Sequence, residues 1–378
     1  MSWKKIAAAS VAGVMLLGIA AWPSVRAHLQ AIAILDLVSG QPVPRVLKAV
    51  VEEPIERKDV EFPAAGGAVR ARMYLPTRKA HAPALMVLHG VHHLGIDEPR
   101  LMSFAAAMAR CGLQVLTPEL PDIKDYHIDT GSVRTIAEST RWFAKRSGGP
   151  VGVMGLSFSG GLALVAAADP VYQPSFKFVF AVGSQDEMSH VTQYYLTGRE
   201  QRPDGTVEIL SPHEYGALVL EYEHLDDFVQ AKDVAAVRAV LREHLYENKA
   251  AEQAAMNQIT VAQQAEAVTL MDTNSPQTRA RLAAAELLRR KEMEGLSPHG
   301  ILKSITTPVY LLHGEADNII PAAETLWMAN ELPNTTLHAV LVSPVLSHLD
   351  LDSAKPGVRD ELRLVHFFAL VMQAVERS

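Results

Sequence analysis

The chain has 378 residues, of which 48% are hydrophobic and 20% are charged, so it is long enough for one large domain or two ordinary ones with a packed core. The formal net charge is −7 and no stretch concentrates lysine and arginine, which argues against nucleic acid as a main partner because phosphate binding needs clustered cations. The single cysteine, Cys111, excludes an intramolecular disulfide.

The N-terminal 27 residues differ in character from the rest. Lys4 and Lys5 precede an uncharged run, residues 6–22, that is near the short end of what spans a bilayer. We expect a retained membrane anchor, a signal peptide cleaved after Ala27, or a helix buried in the domain. The first two alternatives place the rest of the chain in the periplasm or elsewhere outside the cytoplasm. Residues 28–54 then read as an amphipathic connector that ends in prolines.

Short apolar strands alternate with helical patterns from residue 55 onward. The pattern predicts strands at 69–75, 84–89, 113–117, 151–154 and 176–182, and helices near 99–111, 132–146 and 159–168. Continuous apolar runs such as 84–89 are typical of strands buried on both faces. The alternation predicts βαβ units, and therefore an α/β core with a mostly parallel sheet and helices on both faces.

Residues 185–303 interrupt this alternation. Apolar side chains recur there at helical spacing, so we predict a mostly helical insertion with an irregular stretch at 202–205. The alternation returns over residues 304–378, with strands at 308–313 and 336–342 and helices at 322–331 and 358–376. The core is thus expected to consist of residues 55–184 and 304–378.

The most informative short motif follows the strand at 151–154. Gly155-Leu-Ser157-Phe-Ser159 is a turn with small residues around a serine, placed between a strand and a helix. A sharp turn of this kind makes a serine hydroxyl project above the sheet, beside a helix N-terminus that favours developing negative charge. The stretch resembles the nucleophile elbow of the α/β-hydrolase family, with Ser157 as the nucleophile. The family's last glycine is Ser159 here, which leaves Ser159 as the alternative nucleophile.

Two further residues complete the expected catalytic set. Gly314-Glu-Ala-Asp317-Asn-Ile-Ile-Pro321 follows the strand at 308–313 and resembles the turn in which the family places its acid, which implies Asp317, with Glu315 as the fallback. His348 follows the last strand and precedes the last helix, where the family places its base. The chain order of serine, acid and histidine is the family's order.

The oxyanion donors come from two loops in the same resemblance. The backbone N–H of Phe158 follows the nucleophile, and the N–H of Val91 lies in a His89-Gly90 stretch that resembles the family's oxyanion loop. His89 is expected to shape this loop, while His92 and His93 line the mouth of the pocket. No carboxylate or cysteine cluster accompanies these histidines, so we expect no metal and no other cofactor.

The resemblance implies a serine hydrolase that cleaves a carboxylic ester of a small-molecule or lipid-like substrate through an acyl-enzyme. An acyltransferase, a thioesterase, a peptidase and a non-catalytic ligand-binding scaffold are the alternatives for this fold. The helical insertion is expected to form a cap that sets substrate choice. Four tyrosines near its start either line the substrate pocket or pack within the cap: Tyr194, Tyr195, Tyr215 and Tyr222.

Overall fold

A mostly parallel sheet lies at the centre of the protein. The structure, a computed structural model, describes residues 3–45, 47–48, 53–64, 66–79, 81–346 and 357–377, with the backbone alone for residues 3–20. The strands are β1 (Ile55–Ala64), β2 (Gly67–Pro76), β3 (Ala84–Leu88), β4 (Gln114–Pro118), β5 (Val151–Leu156), β6 (Phe176–Val182), β7 (Arg199–Gln201), β8 (Val207–Ile209), β9 (Val309–Gly314) and β10 (Leu337–Ser343).

Eight of these strands form one sheet in the order β1-β2-β4-β3-β5-β6-β9-β10. β1 pairs antiparallel with β2, and β2 pairs antiparallel with β4. All other neighbours in this sheet are parallel, which confirms the predicted α/β class and the mostly parallel sheet. The carboxyl ends of β3, β5, β6 and β9 therefore lie along one edge of the sheet.

Helices cover both faces of the sheet, and others form the insertion. They are α1 (Trp3–Val38), α2 (Pro99–Arg110), α3 (Pro121–Lys124), α4 (Thr130–Ser147), α5 (Phe158–Ala168), α6 (Met188–Thr197), α7 (Glu214–Glu223), α8 (Leu225–Phe228), α9 (Val234–Leu245), α10 (Lys249–Met256), α11 (Val261–Met271), α12 (Pro276–Glu294), α13 (Ala323–Glu331) and α14 (Val358–Glu376). In the part of the chain that the structure describes, three short 3₁₀ turns lie at Gly95–Asp97, Gln173–Ser175 and Leu302–Ser304.

The two faces of the sheet belong to two hydrophobic clusters. Met86 and Leu88 point to the face covered by α4 and α5, while Leu85 and Val87 point to the face covered by α1, α2 and α14. Alternate residues of a strand face opposite sides of a sheet, so a strand buried on both sides must be apolar throughout. This explains why the sequence of β3 is a continuous apolar run.

The N-terminal helix α1 continues through the predicted boundary at residue 27 and packs against the core. Ala27, Ala31 and Ile34 recur at helical spacing and are fully buried against α2 and α14. Gln30 Nε2 donates a 2.8 Å hydrogen bond to the Cys111 carbonyl. Across the described ranges, no helix combines enough length with enough apolar character to cross a bilayer, so the N-terminal membrane helix expected from the sequence has no support in the structure.

The insertion between β6 and β9 contains helices α6 to α12 and a small hairpin of β7 and β8. The stretch at 202–205, expected to be irregular, is the turn of this hairpin. Gly205 N–H donates to the Arg202 carbonyl at 2.9 Å, and Gly205 has a φ of +85°, which favours glycine. The strands are too short and too polar to show an apolar alternation in the sequence.

Candidate active site

Ser157 lies at the turn between β5 and α5, at the carboxyl edge of the sheet. Its backbone has φ 55° and ψ −137°, a conformation that non-glycine residues rarely adopt. Its N–H donates to the Val182 carbonyl of β6 at 2.8 Å, and the Ser184 hydroxyl donates to the Ser157 carbonyl at 2.8 Å. The surrounding backbone therefore holds a strained serine at the start of a helix.

Two glycines allow β5 and α5 to approach each other. A Cβ atom on Gly155 would lie 2.4 Å from Gly160 Cα, and one on Gly160 would lie 2.9 Å from the Gly155 carbonyl oxygen. Both distances are shorter than atoms allow, so the close approach requires glycine at both positions. The glycine that the family's motif places at 159 is not needed for this contact, since Gly160 makes it.

Ser159 has a structural partner instead. Its hydroxyl is fully buried and donates a 2.6 Å hydrogen bond to the His89 carbonyl. This bond joins the loop after β3 to the turn after β5. The strained backbone at Ser157 and the occupied hydroxyl of Ser159 favour Ser157 over Ser159 as the nucleophile.

Asp317 lies in the loop after β9 and is fully buried. Its Oδ1 accepts hydrogen bonds from the N–H groups of Ile319 at 2.9 Å and Ile320 at 3.0 Å. Its Oδ2 lies 3.3 Å from His313 Nε2, which itself lies 2.8 Å from the Ile320 carbonyl. The carboxylate is thus held in a fixed orientation. The fallback acid, Glu315, is exposed on the surface.

The predicted base, His348, lies outside the described residues. The described chain ends at Leu346, shortly after β10, and resumes at Gly357, before α14. The assignment of His348 therefore stays a prediction from the sequence.

The loop after β3 is built around a neutral histidine. His89 Nε2 accepts a 2.9 Å hydrogen bond from the Leu120 N–H, and its Nδ1 lies 2.8 Å from the Gly90 carbonyl, so Nδ1 carries the proton. Burial lowers the pKa of His89 to about 4. Both ring nitrogens are occupied, as expected for a residue that shapes the loop.

Two backbone N–H groups were expected from the sequence to hold the oxyanion. The Phe158 N–H is at the first position of α5, where no intrahelical acceptor exists. Within the described residues, no acceptor contacts the Val91 N–H. The loop that carries Val91 is joined to the serine turn through the bond from Ser159 to His89.

Comparison with known proteins gives matches among solved structures only. No protein-family model matches the sequence, and no curated protein matches it. The chain is similar to a proposed dipeptidyl aminopeptidase IV from Bacteroides ovatus, with a TM-score of 0.50 and 10% identity over 85% of this chain and 36% of that one. An esterase from Pyrobaculum calidifontis gives a TM-score of 0.44 and 16% identity over 92% of this chain and 91% of that one. A proposed lipase from Acinetobacter baumannii gives a TM-score of 0.46 and 17% identity over 84% of this chain and 92% of that one.

The first of these similarities, with a TM-score of 0.50, bears on the fold. The chain has the α/β-hydrolase fold. It spans only 36% of the length of the Bacteroides protein, and at 10% identity the likeness does not extend to activity.

The insertion of this α/β-hydrolase fold contacts the loop that carries Val91. The Tyr215 hydroxyl of α7 donates a 2.7 Å hydrogen bond to the Val91 carbonyl. The rings of His93 and Tyr246 stack with centroids 4.2 Å apart, and His92 stacks on His93 at 4.6 Å. The insertion therefore lies over the candidate site, where Ser157 is only 2% exposed.

Sequence reasoning missed Tyr126 and Tyr246 at this place. The Tyr126 hydroxyl donates to the Leu245 carbonyl at 3.0 Å, and its ring packs near those of Tyr215 and Tyr246. Tyr126 has a φ of 62°, which is unusual for a bulky residue. No local pattern marks either residue, because the contact joins segments about 120 positions apart.

Tyr194 and Tyr195, which the sequence suggested for the pocket, lie in the core of the insertion. They are 0% and 3% exposed, and the Tyr195 ring packs where a Cβ atom on Gly216 would lie. Neither hydroxyl has a partner among the described residues. Burial raises the pKa of both phenols, and the negative charge of Asp317 raises it further.

A possible metal ligand set lies away from the loop histidines. Among the described residues, Asp186, His299 and Glu331 bring ligand atoms within 4.8 Å of one another. Burial raises the pKa of Asp186 to about 8, and repulsion from Glu324 and Glu331 adds to the shift. No sequence pattern indicates this set, because its members are far apart in the chain.

Proposed function

We propose that this protein is a serine hydrolase that cleaves a carboxylic ester through an acyl-enzyme, with Ser157 as nucleophile, His348 as base and Asp317 as the acid that orients the base. The observation that carries the proposal is the strained backbone of Ser157 at the strand–helix turn. Such strain persists only where the surrounding structure enforces it, and it collects at functional sites.

The chemistry divides one difficult step into two. His348 takes the proton as Ser157 Oγ attacks the ester carbonyl, and the oxyanion accepts hydrogen bonds from the Val91 and Phe158 N–H groups. His348 then gives the proton to the departing alcohol. Water, activated by the same base, attacks the acyl-enzyme and releases the acid. The fixed carboxylate of Asp317 supports this role, since the imidazolium needs an oriented negative partner.

The substrate we propose is a small-molecule or lipid-like ester with an apolar acyl or aryl group. Aromatic side chains of the insertion and of the loop after β3 pack together beside Val91, which supports an apolar surround. Because Ser157 is 2% exposed, we expect the insertion to move when substrate enters.

A panel of p-nitrophenyl esters from acetate to laurate tests this function. The wild-type chain should release nitrophenolate with a preferred acyl length, and Ser157→Ala should lose the activity by about 10³-fold or more. Ser211→Ala, which removes an exposed hydroxyl from the insertion, is the matched control and should keep it. Absence of turnover across the panel, or turnover that survives Ser157→Ala, would contradict the proposal.

The same assay separates the alternative activities. With an added alcohol, an acyltransferase forms a new ester in place of the free acid. Thioester and peptide substrates show whether those bonds are cleaved faster than the oxygen ester. A ligand-binding scaffold of this fold shows no turnover on any of them.

We also propose that the chain is exported from the cytoplasm. This proposal rests on the sequence, in which Lys4 and Lys5 precede an uncharged run at residues 6–22. Cell fractionation with N-terminal sequencing tests it, and recovery of the whole chain in the cytoplasmic fraction would contradict it.

A further inference from the structure

The two ends of the insertion meet at a cluster of carboxylates and histidines that the proposed ester chemistry does not use. Asp186 and Glu187 lie where the chain leaves β6, and His299 lies where it returns toward β9. The His299 N–H donates to the Asp186 carbonyl at 3.1 Å, so the outgoing and returning segments touch here. Glu331, at the end of core helix α13, completes the group.

The distances within this cluster suit a metal ion. His299 Nδ1 lies 3.3 Å from Asp186 Oδ2 and 3.2 Å from Glu331 Oε2. In a tetrahedral site with bonds of about 2.0 Å, neighbouring ligand atoms are about 3.3 Å apart. The three ligand atoms all lie within 4.8 Å of one another. Small side-chain movements would therefore place the three ligand atoms around one ion.

Two carboxylate oxygens in the cluster have no hydrogen-bond partner among the described residues. Asp186 is 0% exposed, yet its Oδ1 accepts no hydrogen bond. Glu331 Oε1 is also buried without a partner, while its Oε2 accepts from the Gly300 N–H at 3.1 Å. Buried acceptors of this kind are rare in folded proteins and point to a group that completes them.

The charge of the cluster also favours a bound cation. Four carboxylates collect here, and their ion-pair partners within the described residues are two histidines, with no lysine or arginine. His190 bridges Glu187 and Glu324 at 3.4 Å each, which leaves Asp186 and Glu331 with His299 alone. Carboxylates that outnumber the cations paired with them favour a divalent cation. The carboxylates are Asp186, Glu187, Glu324 and Glu331.

We propose that Asp186, His299 and Glu331 bind one divalent transition-metal ion, with Zn²⁺ as the best-suited ion, at the base of the insertion. An imidazole ligand favours Zn²⁺ over Ca²⁺ and Mg²⁺, which prefer oxygen ligands alone. Three protein ligands leave a fourth position for water. The half-exposed ring of His299 gives the ion a path from solvent.

The role of the ion follows from the three elements that it joins. Asp186 begins the insertion, His299 ends it, and Glu331 belongs to α13 of the core. One ion bound to all three fixes the base of the insertion to the core. The site is therefore structural, and it does not depend on Ser157 being the nucleophile.

Calorimetric titration of the full-length, chelator-treated chain with Zn²⁺ tests the site. We expect saturable binding of one equivalent and a rise in Tm, with no comparable response to Ca²⁺. His299→Ala and Glu331→Gln should each weaken Zn²⁺ binding by more than about tenfold. Asp186→Asn should do the same, and the two other variants decide the outcome if its buried site does not fold.

His244→Ala is the matched control. His244 Nδ1 lies 3.1 Å from Glu252 Oε2, a distance similar to those in the cluster. Among the described residues, however, no third ligand atom lies close to this pair. The variant should bind Zn²⁺ as the wild type does. Failure to observe saturable Zn²⁺ binding, or binding that His299→Ala and Glu331→Gln leave unchanged, would overturn the site. The first result would mean that His299 bridges the two carboxylates without an ion.

Discussion

The Tyr215 hydroxyl, on helix α7 of the insertion, donates a 2.7 Å hydrogen bond to the carbonyl oxygen of Val91. Val91 is the residue whose N–H we propose to hold the oxyanion, so an element of the insertion fixes the peptide next to an oxyanion donor. The Tyr215 side chain is partly buried, which makes the bond stronger than a fully exposed one. The insertion thus holds the loop that carries Val91 as well as covering it.

Replacing Tyr215 with phenylalanine should lower ester turnover. Direct loss of an oxyanion donor costs about 10²–10³ in kcat, and an indirect loss of loop position should cost about tenfold. We expect the change in kcat with little change in KM, measured by steady-state hydrolysis of the best p-nitrophenyl ester. Tyr222→Phe is the control, since Tyr222 lies on the same helix and its hydroxyl makes no bond to the loop within the described residues. Equal effects of the two variants would contradict a positioning role.

Ser159→Ala should keep a reactive serine but weaken the fold. The Ser159 hydroxyl is buried and donates to the His89 carbonyl at 2.6 Å, so its loss leaves a buried acceptor without its partner. The expected loss in the free energy of unfolding is about 1–3 kcal/mol. Chemical denaturation gives this value, and labelling with a fluorophosphonate tests whether the serine still reacts. A variant of unchanged stability that no longer reacts would instead favour Ser159 as the nucleophile.

The N-terminal helix should behave as part of the folded core. Ile34 is 0% exposed and packs against α2 and α14, whereas Val25 on the same helix is 46% exposed. Ile34→Ala should lower the free energy of unfolding by about 2–4 kcal/mol through lost contacts and a residual cavity. Val25→Ala should change it by less than about 0.5 kcal/mol. Urea unfolding of both variants measures this difference, and similar small effects would mean that α1 is not packed on the core.

His89 should make stability depend on pH below about 6.5. Burial lowers its pKa from the usual 6.5 to about 4 in the folded chain. Above pH 6.5 the residue is neutral in both states, but between pH 6.5 and 4 the unfolded chain takes up a proton that the folded chain refuses. The free energy of unfolding therefore falls as pH falls, by about 3 kcal/mol from this residue.

Comparison of two variants isolates this contribution. His89→Gln cannot titrate and should lose that part of the pH slope, whatever its absolute stability. His81→Gln removes an exposed histidine and should keep the wild-type slope. Unfolding measured at several pH values between 7 and 4 gives the slopes. Identical slopes for His89→Gln and the wild type would show that His89 titrates normally.

The core of the fold was predictable because its information is local. Apolar runs of five to seven residues mark the central strands, and a serine between small residues marks the turn after β5. β1 gave only a weak signal, since it lies at the edge of the sheet and most of its side chains are exposed. The packing of α1 was not predictable either, because the apolar stripe of Ala27, Ala31 and Ile34 suits a membrane surface as well as a core.

The site was predictable only in part. Ser157 and Asp317 carry sequence motifs, so their places at the ends of β5 and β9 follow from the chain. Tyr215 meets Val91 across 124 positions, and His299 meets Asp186 across 113. Contacts at such separations depend on how the insertion folds back, for which helical periodicity alone gives no register.

Reaction with a fluorophosphonate, read by intact mass and by peptide mapping, tests the central proposal most directly. The wild-type chain should gain one phosphonyl group on the peptide that contains Ser157, at neutral pH and at a rate that denaturation abolishes. Ser157→Ala should gain none, while Ser211→Ala should react as the wild type does. A folded wild-type chain that resists the probe, or a label that persists in Ser157→Ala, would contradict the assignment of Ser157 as the nucleophile.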